Sequence, residues 1–262
     1  MSPSAISPTP YPYVNTVLKL LLKNVQSVLD TYFIGLYLHG SLALGDFDPG
    51  HSDIDFVVVT TRELPVKLIS DLETMHSSIK DSGLEWVNKL EGSYISKKAL
   101  LRYNPDDTPR PHVNEGKFFV ARDERDWVII RHILRESGVV VAGPPVRPLI
   151  APVSPDELRR AVLEVLATWW APMLDKPGLR FSGPGYQPYA ALTMCRALYT
   201  LKHGNIVSKP VSARWALEAL DKRWTKLIES ALAWHDGDPT GDIEQTRQFM
   251  SYTIEQAELY RR

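Results

Sequence analysis

The segment from Leu36 to Thr60 constrains this chain more than any other. An apolar run, Ile34 to Leu38, ends at His39 and the pair Gly40-Ser41. A turn-rich segment follows, and then Ser52, Asp53, Ile54 and Asp55 open a second apolar run, Phe56 to Val59. Runs of this length bounded by turn residues suit strands buried on both faces. In a strand, residues two apart point to one side, so Asp53 and Asp55 would present two carboxylates together while Ile54 faces the core. Paired like charges are costly unless a cation neutralises them. Hard oxygen donors suit Mg²⁺, which usually takes one or two carboxylates plus phosphate oxygens.

Length and composition narrow the setting. The chain has 262 residues, enough for one large domain or two ordinary ones. A hydrophobic content of 44% beside 23% charged residues fits a soluble globular protein. A formal net charge of -1 provides no basic field to hold a nucleic-acid backbone, so a small substrate is expected and nucleic acid is not. The lone cysteine, Cys195, excludes an intrachain disulfide and sits in an apolar stretch, as a buried structural thiol would. No apolar run approaches the ~20 residues a bilayer span requires, and the N-terminus lacks a basic-then-apolar signal. A cytoplasmic protein without membrane contact is expected, acting as a monomer.

Four prolines mark residues 1–12 as a loose arm. Helical spacing then runs from Tyr13 to Tyr32 and again from Leu68 to Ile79, with Gly83 as a stop. Leu84 to Ser96 reads as a third strand carrying Glu91, and 97–114 as a loop. A short strand at 116–121, a helix at 123–137 and a brief strand at 139–141 follow. The proline-rich stretch 143–152 places a domain boundary there. Beyond it, Ser154-Pro-Asp-Glu is a helix start with cap, proline and first-turn acids. That helix runs to about Trp170. A loop follows at 172–188, then helices over 189–203, 213–220, 224–235 and 242–260. The expected fold is α+β: an N-terminal α/β domain, 1–152, with a small mixed sheet, and a C-terminal α-helical bundle, 153–262.

Gly40-Ser41, eleven residues, then Asp53-Ile54-Asp55-Phe56 resembles the signature of the nucleotidyltransferase superfamily of the DNA polymerase beta type. The segment Leu192 to Lys209, followed by Ala213 to Leu217, is similar to the helical domain of the streptomycin/spectinomycin adenylyltransferases, which are aminoglycoside nucleotidyltransferases. Asp126 to Ile130 and Val140 to Pro144 resemble parts of the same family. The resemblance is discontinuous but collinear over roughly residues 14 to 260.

It implies an ATP- and Mg²⁺-dependent enzyme (two ions) that moves AMP onto a hydroxyl of a small aminocyclitol or aminoglycoside. It assigns Asp53 and Asp55 to the metals, and Gly40, Ser41 and Ser52 to the nucleotide. Glu91 would be the third carboxylate, a metal ligand or the general base, with Glu85 as the competing residue. Lys209 matches the family's phosphate lysine and Trp234 an aromatic residue against the nucleotide. Arg196 faces either phosphates or a buried ion pair. On the antibiotic side, Phe118 and Gln187 lie in stretches that match substrate-contacting ones, and Asp175 is nearby. The acidic loop of streptomycin-modifying members is replaced by Gly185-Tyr-Gln-Pro-Tyr189, which leans toward spectinomycin. A protein hydroxyl or another metabolite remains the alternative acceptor, and nucleotide binding without turnover the alternative class.

Overall fold

The computed structural model describes residues 7–50, 52–123, 126–175, 183, 185–235, 238 and 241–261. Packing contacts divide the chain after Pro152, except that Asp48–His51 groups with the later residues. No described helix is long and apolar enough to cross a membrane.

The first unit is built on a six-stranded mixed sheet of order β5-β4-β3-β2-β1-β6. Its strands are β1 (Phe33–Leu38), β2 (Ile54–Thr60), β3 (Leu90–Ser96), β4 (Arg110–Asn114), β5 (Lys117–Ala121) and β6 (Val139–Ala142). Only β2 and β3 run parallel, because the helix between them, α3 (Val66–Lys80), provides the crossover that parallel strands require. The alternation of side chains sorts two cores. Leu36, Leu38, Phe56, Val58 and Tyr94 face α1 (Pro12–Leu29) and α3. Tyr37, Val57, Val59 and Ile95 face the other way. There they meet Ala99 and Leu100 of α4 (Lys97–Leu101) and Trp127 and Leu134 of α5 (Asp126–Ser137).

The described part of the N-terminal arm is not loose. Pro12 is the first residue of α1, where its missing N–H costs nothing. Thr9 is buried and its hydroxyl donates to Asn15 Oδ1 at 2.9 Å. Two further expectations also shift. The third strand starts at Leu90, leaving Glu85 exposed ahead of a 3₁₀ turn. The stretch 97–114 holds α4, capped by Ser96, and the five-residue β4. Neither element is long enough to print a period on the sequence.

Arg110 and Arg131 are almost wholly buried beside Asp123, at 3.3 and 3.8 Å. This ion cluster ties the start of β4 to α5. Burial pushes the Asp123 carboxyl up to about 6 even though both guanidinium groups pull it down.

The second unit is helical: α6 (Pro155–Val165), α7 (Ala171–Asp175), α8 (Tyr186–His203), α9 (Lys209–Ala219), α10 (Thr225–Ala233) and α11 (Ile243–Ala257). Ser154 and Glu157 form a reciprocal capping box on α6, and residues 166–170 widen into a π-helix. Helix α8 is central, packing against α6, α9, α10 and α11. Its small buried residues Ala190, Ala191, Cys195 and Ala197 let those neighbours approach. Burial raises the Cys195 thiol to about 12, so it stays protonated and structural. The expected loop at 172–188 contains α7 and the first turn of α8.

Candidate active site

Three backbone features bring the motif residues together. Helix α2 (Gly40–Leu44) turns sharply out of β1, with His39 as its N-cap residue. The His39 N–H donates to Asp55 O at 3.1 Å, which ties the corner to β2. Gly40 has φ of +57°, and a Cβ there would overlap the Asp55 carboxylate. Glycine is therefore required twice, once for the left-handed backbone and once for the contact. Gly40 lies against Asp55 although fourteen residues separate the two in the chain.

Across the sheet, Asp55 pairs with Glu91 in the parallel register of β2 and β3, followed by Phe56 with Gly92 and Val57 with Ser93. Paired residues point to the same side, so the two carboxylates stand next to one another. Gly92 permits this close pairing, since a Cβ would strike the Phe56 ring at 2.6 Å. Both lie on the α5 side of the sheet, near the start of their strands.

Asp53 precedes β2, and its Oδ1 lies 3.7 Å from Lys89 Nζ, both side chains being about two-fifths exposed. Sequence reasoning missed Lys89, whose only signal was its place two residues before Glu91. Among the described residues no three histidine, cysteine, aspartate or glutamate side chains converge as a ready cation cage. The expected trio of Asp53, Asp55 and Glu91 is thus not gathered. Asp53 lies instead against the Lys89 ammonium. The Asp55–Glu91 pair still fits Mg²⁺, which needs one or two carboxylates when phosphate oxygens complete its shell. His39, buried at the corner, has its pKa lowered to about 4 by burial. It is neutral at pH 7 and gives the site no positive charge.

Phe118 lies on the wrong side. It pairs with Val113 and packs against the α1/α3 core, its ring 5.9 Å from that of His76. The next residue, Phe119, is opposite His112, which is opposite Ser93, and so shares the face of Asp55 and Glu91. Its ring is 44% exposed and stacks on the His112 imidazole at 5.4 Å. Strand period counted from the turn at Gly116 was the available signal.

In the helical unit, Lys209 is the first residue of α9 and its ammonium lies 4.1 Å from the centre of the Tyr189 ring. Trp234 ends α10 with its indole edge against Gly185. Gln187 is buried at 2% exposure, with Oε1 against the Gly241 backbone. Asp175 closes α7, and its side chain lies outside the described residues. Ser52 lies just ahead of β2 and is half-buried.

A glycine-serine corner folded against one carboxylate of a strand-paired couple is the arrangement of a nucleotidyltransferase. A nucleotidyltransferase-domain family model matches residues 19–104, and a model of the aminoglycoside adenylyltransferase C-terminal domain matches residues 148–257. The chain belongs to the streptomycin/spectinomycin adenylyltransferase family of aminoglycoside nucleotidyltransferases. It is 25% identical over 240 residues to the spectinomycin 9-adenylyltransferase of Campylobacter jejuni, covering 88% of this chain and 87% of that protein. It is 26% identical over 254 residues to an aminoglycoside (3'') (9) adenylyltransferase of Klebsiella pneumoniae, covering 91% and 93%. Its fold matches a crystal structure of spectinomycin adenyltransferase AAD(9) from Enterococcus faecialis with ATP and spectinomycin. The TM-score is 0.72 at 16% identity, over 93% of this chain and 98% of that one.

Proposed function

We propose that this enzyme transfers AMP from ATP to a hydroxyl of an aminocyclitol or aminoglycoside antibiotic, spectinomycin rather than streptomycin, and so confers resistance. The observation that carries this reading is the strand-register pair Asp55–Glu91 beside the Gly40 corner. Names of the relatives support the acceptor class.

In this reading Glu91 takes the proton of the acceptor hydroxyl. The oxygen bonds to the α-phosphorus, the bond from that phosphorus to the bridging oxygen breaks, and pyrophosphate leaves. Asp55, Glu91 and, once released from Lys89, Asp53 would hold two Mg²⁺ ions. When bound, these neutralise phosphate charge and keep the leaving group in line. Gly40, Ser41 and Ser52 cradle the outer phosphates, Lys209 adds a positive charge, and Trp234 lies along the adenine. Phe119 replaces Phe118 as the aromatic surface for the acceptor. Spectinomycin is favoured because the loop before α8 lacks the acids that amine-rich streptomycin would want. We take the enzyme to act as a cytoplasmic monomer, where ATP is plentiful.

Pyrophosphate release from Mg²⁺ and ATP with a panel that includes spectinomycin and streptomycin tests this reading. Release with spectinomycin is expected. Release with none of the panel would remove the antibiotic acceptor and return a protein hydroxyl or another metabolite to first place.

A further inference from the structure

We propose that Tyr189 is a positioning residue for Lys209: its ring holds the ammonium in place at the start of α9 and readies it for the triphosphate. The proposal rests on the reading that Lys209 meets the phosphates of ATP.

Lysine is poorly suited to this position on stability grounds. The first turn of a helix carries a partial positive charge, so acids stabilise it and cations oppose it. Helix α6 follows that rule, with Ser154 as cap, Pro155 first, and Asp156 and Glu157 next. Helix α9 keeps the cap and the proline, as Ser208 and Pro210, but has Lys209 in first place and no acid in the turn. Helix α4 shares this arrangement, with Lys97 after the Ser96 cap and no acid in its first turn, so what sets Lys209 apart is its contact with Tyr189.

The backbone under Lys209 is fixed. Ser208 Oγ accepts from the Val211 N–H at 3.4 Å, and the Ser212 hydroxyl donates to Lys209 O at 2.8 Å. The stem above it has four rotatable carbons and would sweep a wide volume. Tyr189 restrains it, since the ammonium sits 4.1 Å from the ring centroid, over the negative face. The ring itself is braced by Trp170 and Tyr186, both at 5.9 Å, and Trp170 is 2% exposed. Yet Tyr189 remains 45% exposed. An exposed tyrosine backed by a buried tryptophan and topped by a cation is a rigid shelf, and holding the cation in advance lowers the ordering cost of anion binding.

The test measures ATP affinity by calorimetry, with Mg²⁺ and no acceptor, for the whole enzyme and its variants. Tyr189→Leu should weaken ATP about three- to tenfold, while Tyr189→Phe, which keeps the ring, should stay within about twofold. Turnover at saturating ATP should not change. Fluorinated phenylalanines at position 189 keep the shape but drain the ring face, so affinity should fall stepwise with fluorine count. In a Lys209→Ala background, Tyr189→Leu should add nothing. Equal losses for Leu and Phe, or a full Tyr189→Leu effect that survives in that background, would overturn the proposal. An unchanged affinity in Lys209→Ala alone would instead sink the phosphate reading of Lys209, and the proposal with it.

Discussion

Gly40 packs its bare α-carbon against the carboxylate of Asp55, and no side chain fits between them. The corner and the strand therefore act as one unit. The space a Cβ would need is where one carboxylate oxygen now sits. Gly40→Ala should cost stability from the positive φ and from displaced Asp55, about 1–3 kcal/mol together. Activity should fall further than stability alone explains, because the displaced group is a proposed metal ligand. Comparing the thermal midpoint with turnover of the fraction still folded checks both halves.

Phe118 and Phe119 should separate cleanly. Phe119→Ala removes an exposed ring on the carboxylate face, so it should raise the KM for the acceptor several-fold with little change in melting temperature. Phe118→Ala opens the α1/α3 core, so it should destabilise by about 2–4 kcal/mol. In folded enzyme it should leave the acceptor KM nearly untouched. The reverse pattern would mean that β5 pairs in another register.

Acid should unfold this protein through its histidines. Burial lowers His39, His76 and His112 to about 4 from an ordinary 6.5, His112 with a further push from Arg110. Above pH 6.5 these groups are neutral folded and unfolded, and nothing is lost. As pH falls from 6.5 toward 4 only the unfolded chain takes up their protons, so stability drops across that window. Asp123, raised to about 6, works the other way, since the folded state keeps its proton longer and gains stability as pH falls. Three groups oppose one, and net loss should win. His76→Gln, which can still bond the Tyr94 hydroxyl now 2.6 Å from Nε2, should flatten the denaturant midpoint against pH curve between 6.5 and 4.

The N-terminal arm should matter to the site without touching it. Tyr11 packs at a tilt against Phe47 at 4.7 Å and its hydroxyl donates to Phe47 O, while Tyr13 stacks on Trp86 at 4.7 Å. Phe47 lies three residues beyond α2, so these rings pin the chain where it leaves the corner. Tyr11→Ala should destabilise by about 1–3 kcal/mol and speed hydrogen exchange in the amides of residues 41–47.

Much of this was readable in the sequence, and the exceptions have physical causes. Strands β1 and β2 are continuous apolar runs because both faces are covered, and Gly40, Asp53 and Asp55 stand at the ends of those runs. Ser154 to Glu157 spelled the start of α6 for equally local reasons. The face of Phe118 was not local. It depends on the register of β5 on β4 and of β4 on β3, and one residue of slip exchanges Phe118 for Phe119. The Asp53–Lys89 pair and the Tyr189–Lys209 contact join residues far apart in the chain, so no spacing announces them. The burial of Gln187 was not local either, because its helix is the centre of the bundle.

The central claim is that the Asp55–Glu91 pair drives transfer of AMP to an aminocyclitol hydroxyl. Mass spectrometry of spectinomycin after incubation with enzyme, Mg²⁺ and ATP tests it most directly, run beside Glu91→Gln and a calorimetric ATP titration of both proteins. The account predicts spectinomycin carrying one added AMP with the natural chain. With Glu91→Gln it predicts at least a hundredfold less product, on the order expected for loss of a general base, a loss larger than any fall in ATP affinity. No adduct from the natural chain, or undiminished adduct from Glu91→Gln, would contradict it.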